Sequence, residues 1–231
     1  MPPGLSGQLN LDGAPAVPRP SATVLLVRGR QPWELLLMQR PGGADFAPDA
    51  YVFPGGSVHA DDALSPDPIA AAATRELFEE VGVLLARKNR RFARARECDQ
   101  VRSLVGEGQS FSQALASLGL EPAHDRLVTL TRWVTPALLR RRFDTRFFLA
   151  RLPAGQAVHA QEGEVVDWLW MSPAKALSDP KLTLVFATRA VLESVAPDDV
   201  GRLFARARGQ REVPIVEPRL VQTDDGCEIV R

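Results

Sequence analysis

Arg75-Glu76-Leu77-Phe78-Glu79-Glu80-Val81-Gly82-Val83 is the stretch that decides how this chain is read. Apolar residues at 71–73, 77, 81 and 84 recur at helical spacing and predict a helix over about 68–86. Ser65 or Asp67 can cap its start, with Pro68 in the first turn. Glu76, Glu79 and Glu80 stand at i, i+3 and i+4, so they share one arc of that helix while Leu77, Val81 and Leu84 point to the core. Three carboxylates on one arc repel by roughly a few tenths of a kcal/mol per pair. Only Arg75 is near enough to relieve them, reaching Glu79 at i+4. A divalent cation collecting the oxygens accounts for the pattern, and hard carboxylate donors suit Mg²⁺ or Mn²⁺. Gly82 marks the helix end or a close contact there. Just upstream, Pro54-Gly55-Gly56 lets the backbone approach a ligand or metal closely.

Upstream of the helix, residues 21–28 and 33–40 read as two strands around a Gly29–Pro32 turn, and their continuous apolar runs predict burial on both faces. Tyr51-Val52-Phe53 is a short strand. Residues 1–19, rich in Pro and Gly, read as a mobile N-terminal tail ahead of a single domain over 20–231. Downstream, residues 88–125 read as a helical insert, with helices over 89–105 and 111–118. Strands follow at 127–134, 143–151 and 165–171. Ser172-Pro173 opens a short helix, further helices are expected over 183–196 and 199–208, and 213–231 looks extended. Strands and helices mix without regular alternation, which points to an α+β layer fold with a mixed sheet covered by helices.

Lys+Arg and Asp+Glu both number 28. That balance argues against a general nucleic-acid or membrane-surface binder. Only Lys88, Lys175 and Lys181 are lysines, leaving 25 of the 28 basic residues as arginine, a residue suited to bidentate phosphate recognition. Cys98 and Cys227 form no Cys-x-x-Cys pair or disulfide framework, and the chain shows no signal-peptide pattern and no apolar run of about 18 residues. A cytoplasmic location is expected. His59, His124 and His159 have no ligand spacing.

The residues from Gly56 to Val83 resemble the signature of the Nudix hydrolases, Gly-x5-Glu-x7-Arg-Glu-U-x-Glu-Glu-x-Gly-U, where U is aliphatic. The second half matches from Arg75 to Val83. The first half departs: Gly56-x5 leads to Asp62 rather than Glu, and twelve residues, not seven, precede Arg75. The Phe46–Gly56 segment, the lengthened box loop, the insert, Trp133-Val-Thr-Pro136 and Arg142-Phe-Asp-Thr145 resemble the branch that hydrolyses coenzyme A and acyl-coenzyme A. Members with that activity often carry Gly-Gly-x-x-Asp-x-x-Asp; here His59 stands in place of the first Asp.

The resemblance implies an α/β/α sandwich, Mg²⁺ or Mn²⁺, and water attack on a pyrophosphate in a small nucleoside diphosphate derivative. Alternatives are a dinucleotide, a nucleotide sugar, ADP-ribose or capped RNA, or a non-catalytic binding module. It implies Glu76, Glu79, Glu80 and the Gly55 carbonyl as metal ligands, and Arg75 as the residue that orients Glu79. Glu162 is the implied loop acid, with Glu164 as runner-up; the general base is one of these or a helix Glu. Arg40, Arg142 and Phe53 are the expected substrate contacts. Arg142, with Arg141 and Arg146, could clamp phosphate or simply flank a strand. Tyr51, Trp133, Trp168 and Trp170 could stack on a base, although alternation of Trp168 and Trp170 favours core packing. A homodimer is an expectation from the frequency of symmetric dimers.

Overall fold

A computed structural model describes residues 9–10, 13–44, 47–223 and 226–230. In chain order these build β1 (Arg19–Gly29), β2 (Trp33–Gln39), β3 (Tyr51–Val52), β4 (Gly55–Ser57), α1 (Pro68–Val81), β5 (Ala86–Lys88), β6 (Arg91–Phe92), α2 (Ala95–Gly106), α3 (Phe111–Ser117) and β7 (Glu121–Pro122). Then come β8 (Val128–Val134), β9 (Phe143–Arg151), β10 (Asp167–Met171), α4 (Pro173–Ser178), α5 (Phe186–Val195), α6 (Val200–Arg208), β11 (Ile215–Val216), β12 (Arg219–Thr223) and β13 (Gly226–Val230).

The main sheet runs β10-β2-β1-β9-β8-β11, with β3 paired to β2 and β4 to β1. It is mixed: β1 lies antiparallel to β2 but parallel to β9. Val24 to Val27 in β1 are all fully buried because side chains alternate between two covered faces. Leu25 and Val27 enter a core with residues of α4, α5 and α6. Ala22, Val24 and Leu26 enter the opposite core with Ala73, Leu77 and Val81 of α1. The result is the three-layer Nudix-type sandwich. Each fully buried Leu or Val contributes about 1.5–3 kcal/mol.

Several boundaries differ from the sequence expectation. Helix α1 ends at Val81, not 86: Gly82 takes a left-handed φ of 69° and donates its N–H to the Phe78 carbonyl. Val83–Ala86 then run extended and buried. The first insert helix starts at Ala95, since Asn89 and Arg90 at φ 50° and 66° form the turn of the β5–β6 hairpin. The insert is therefore two helices plus a small sheet, β6-β5-β7. It packs on the outer side of α1 through Phe78, whose ring lies 5.5 Å from that of Phe111. The helix expected from 183 starts at Phe186.

Residues 1–8, 11 and 12 of the expected tail lie outside the described residues. Nearby, Asn10 donates its N–H to the Leu138 carbonyl at 2.8 Å. Among the described residues no helix is long and apolar enough to cross a membrane.

Candidate metal centre

Helix α1 is fixed at both ends. The Asp67 side chain accepts from the Ala70 N–H at 3.0 Å and Gly82 closes the other end. Beneath it, β4 pairs with the first half of β1, so Gly55 faces Thr23 and Gly56 faces Ala22. Both glycines are needed for close approach. A Cβ on Gly55 would lie 2.2 Å from the Ala22 carbonyl oxygen, and one on Gly56 would lie 2.4 Å from Oε1 of Glu76.

Arg75 is 4% exposed and its donors are shared among four groups. Nε and Nη2 bond the Asp62 carboxylate at 3.1 and 2.9 Å, and Nη2 also reaches the Ser57 carbonyl at 2.9 Å. Nη1 bonds Glu76 Oε1 at 2.8 Å and Glu79 Oε2 at 2.7 Å. Burial alone would lower the Arg75 pKa, but Asp62, Glu76 and Glu79 outweigh it and push it up. The arginine is thus a permanent cation holding three carboxylates in place.

Glu80, 7% exposed, accepts the Gly55 N–H on Oε2 at 2.7 Å. Its pKa is raised well above the ordinary carboxylate value, first by burial and then by the Glu76 charge, with the Gly55 N–H acting against the rise. Burial also raises Glu76, opposed by Arg75. These are groups short of positive charge. The bonds named above use one oxygen on each of Glu76, Glu79 and Glu80. The second oxygens, with a backbone carbonyl at the tight Gly55 turn, form a donor set of the chemistry Mg²⁺ and Mn²⁺ prefer. The carboxylates are not gathered as a finished cage: among the described residues no three His, Cys, Asp or Glu side chains converge on one point.

A sequence profile described as the NUDT19 Nudix domain matches residues 66–188, over half of the chain. The chain belongs to the Nudix hydrolase family. Among its relatives, the Putative nudix hydrolase 7 of Caenorhabditis elegans is 30% identical over 162 residues, covering 69% of this chain and 53% of that protein. The Acyl-coenzyme A diphosphatase NUDT19 of Xenopus laevis is 25% identical over 209 residues, covering 64% and 55%. The chain thus spans a little over half the length of these relatives. A crystal structure of a NUDIX hydrolase from Alicyclobacillus acidocaldarius superposes with a TM-score of 0.71 at 25% identity, covering 87% of this chain and 99% of that one.

Within the Nudix box, the departure at Asp62 has a structural explanation. The lengthened loop brings Asp62 back under α1, where it is 5% exposed and bound to Arg75. It also accepts the His59 N–H at 2.8 Å. Asp62 therefore braces the arginine that positions the helix carboxylates, and its place five residues beyond Gly56 was the signal for it.

The loop carrying Glu162 and Glu164 is tied to the end of α1: His159 and Gln161 donate their N–H groups to the Val81 and Glu80 carbonyls, both at 2.9 Å. Both acids are exposed, and the charge of Glu164 is among those that raise the Glu80 pKa. Arg40, half-buried just beyond β2, lowers it, which places its guanidinium beside the same carboxylate.

Two expected substrate contacts are elsewhere. Phe53 is 3% exposed and packs edge-on to Phe147 in the core on the opposite side of the sheet from α1. The short Tyr-Val-Phe run gave no clue to which face Phe53 takes. Arg142, its side chain 9% exposed, donates to the Thr135 and Ala16 carbonyls at 2.9 and 3.0 Å and pairs with Glu217. It is a strap between chain segments rather than a phosphate clamp.

Sequence reasoning did not single out Gln156. Buried, it bonds the Leu84 N–H and the Leu84 and Ala93 carbonyls, so it joins the insert to the chain leaving α1. A lone Gln in a loop carries no pattern that would reveal this.

Proposed function

We propose that this chain hydrolyses the pyrophosphate bond of a small nucleoside diphosphate derivative in a divalent-metal-dependent reaction, with coenzyme A or acyl-coenzyme A as the leading substrate. The observation that carries the reaction is the buried Arg75 bracing Glu76 and Glu79 beside Glu80. Such a charge arrangement is costly unless it does chemistry. Mg²⁺ or Mn²⁺ bound among these oxygens would polarise the phosphoryl group and acidify the attacking water. Arg75 and Asp62 hold the carboxylates in a fixed geometry. Arg40 offers a guanidinium to phosphate oxygens on the same side of the sheet. Glu164 or Glu162 in the tied loop, or a helix Glu, accepts the proton of the water at a carboxylate oxygen.

The coenzyme A assignment is supported by the lengthened box loop, the insert and the names of the relatives. A second reading, another nucleoside diphosphate derivative, is favoured by His59 at the position where an Asp is usual in coenzyme A members. The experiment is hydrolysis of coenzyme A, acetyl-coenzyme A, NADH, ADP-ribose, diadenosine polyphosphates and dGTP with Mg²⁺ or Mn²⁺, with Glu80→Gln run beside the native chain. Cleavage of a coenzyme A substrate that Glu80→Gln loses supports the leading reading. Cleavage of a different substrate selects the second. No cleavage with either metal rejects catalysis and leaves a binding module.

A further inference from the structure

We infer that Trp168 is the stacking platform for the base of a nucleoside 5′-diphosphate whose phosphates lie against Arg40 and the α1 carboxylates. The inference rests on the reading above for the phosphate end and adds a base subsite. Trp33 and Trp133 are each 7% exposed and belong to the core, whereas Trp168 keeps 38% exposure. Trp170, its neighbour on the same strand face, is covered by the Arg28 guanidinium 4.5 Å from its ring centre.

The register of the sheet places the open ring. Trp168 lies directly opposite Met38, and Met38 directly opposite Val52. Opposed residues of antiparallel strands share a face, and Met38 is buried in the core formed with α1. Trp168 is therefore on the α1 side. The other face is occupied by the alternate residues: Tyr51 and Leu37 sit in the opposite core, and the Tyr51 hydroxyl bonds Asp167 at 2.9 Å. Arg40 follows Met38 by two residues, and its N–H donates to the Ala50 carbonyl, so the strand alternation carries it to the α1 side as well. Diagonal neighbours in adjacent strands are about 7–8 Å apart. A nucleotide with its phosphates at Arg40 can thus lay its base on the ring one row away. Flat bases stack on an indole with little regard to sequence, and the neighbouring cation binds the charged end.

The test measures binding and turnover separately. ADP and base-free pyrophosphate are titrated without metal while tryptophan fluorescence is followed in the native chain, Trp168→Phe and Trp168→Ala, each checked by circular dichroism. ADP quenches the native chain and pyrophosphate does not; Trp168→Phe loses most of the quench but keeps ADP affinity within about threefold; Trp168→Ala weakens ADP about tenfold or more. With a cleaved substrate the Ala change appears in KM, and Phe restores it. If ADP binds all three proteins equally, or quenches Trp168→Phe as it does the native chain, the inference is wrong. A failed hydrolysis panel with an intact Trp168-dependent quench overturns the proposed reaction and leaves the base subsite standing. An intact panel with an indifferent Trp168→Ala does the reverse.

Discussion

Arg75 and Arg142 lie in two regions that look alike at the level of residue type. Each side chain is nearly buried, at 5% and 9% exposure, and each sits beside a segment that resembles a functional motif. Their partners differ. Arg75 bonds Asp62, Glu76 and Glu79, whereas Arg142 bonds mainly the backbone carbonyls of Thr135 and Ala16. A buried arginine among carboxylates organises charge that can act on a ligand. A buried arginine among carbonyls satisfies backbone acceptors and fixes loops. Partner chemistry, not burial, separates a site residue from a structural one.

Removing each cation breaks the comparison where it is most exposed to test. Arg75→Ala leaves Asp62, Glu76 and Glu79 without their shared cation, so it costs about 3–5 kcal/mol in denaturant unfolding and abolishes hydrolysis. Arg75→Lys keeps the charge but loses the fork, and recovers stability better than activity. Arg142→Ala costs about 1–3 kcal/mol, because carbonyls lose their donor. Its kcat/KM stays within about twofold of native, where loss of a charge-assisted phosphate contact of about 1.5–3 kcal/mol would lower it more than tenfold. A rise in KM of that size would restore Arg142 to the substrate site.

The smallest effect belongs to a third arginine pair. Arg91, 43% exposed, pairs with Glu97, which also caps the Arg94 N–H at the start of α2. The Arg91 hydrogen bond, followed by the Arg94 N–H, holds the Glu97 pKa down to about 2. A depressed carboxylate stabilises the fold above its unfolded pKa and loses that contribution as pH falls toward 2. Glu97→Gln therefore costs less than about 1 kcal/mol at pH 7, after discounting for solvent screening, and its difference from native shrinks in melts taken below pH 4. A difference that grows on acidification would contradict this.

The sequence made α1 legible because its carboxylates and apolar residues obey one helical period and Asp67 and Gly82 fit the two caps. The sheet strands were legible from their apolar runs. The β5–β6–β7 sheet was not, since strands of two or three residues are too short to show a period. Gly55–Ser57 read as a turn but pairs with β1, a choice made by tertiary contact. The metal-site acids could be named from spacing. The brace from Asp62 could not, because a loop of variable length separates it from Arg75. Phe53 and Arg142 were misplaced because residue type alone does not say which face of the sheet, or which partner, a side chain will find.

The claim that the α1 carboxylates form a metal centre is tested most directly by thermal unfolding of the native chain and Glu80→Gln over a Mn²⁺ titration, with Ca²⁺-free buffer and no substrate. A hundredfold excess over Kd stabilises a single site by about 2.7 kcal/mol, which is about 5–10 °C for a chain of this size. The account predicts a saturable rise of that order in the native chain and its loss in Glu80→Gln, which remains folded. No rise in the native chain, or the same rise in both, would contradict it.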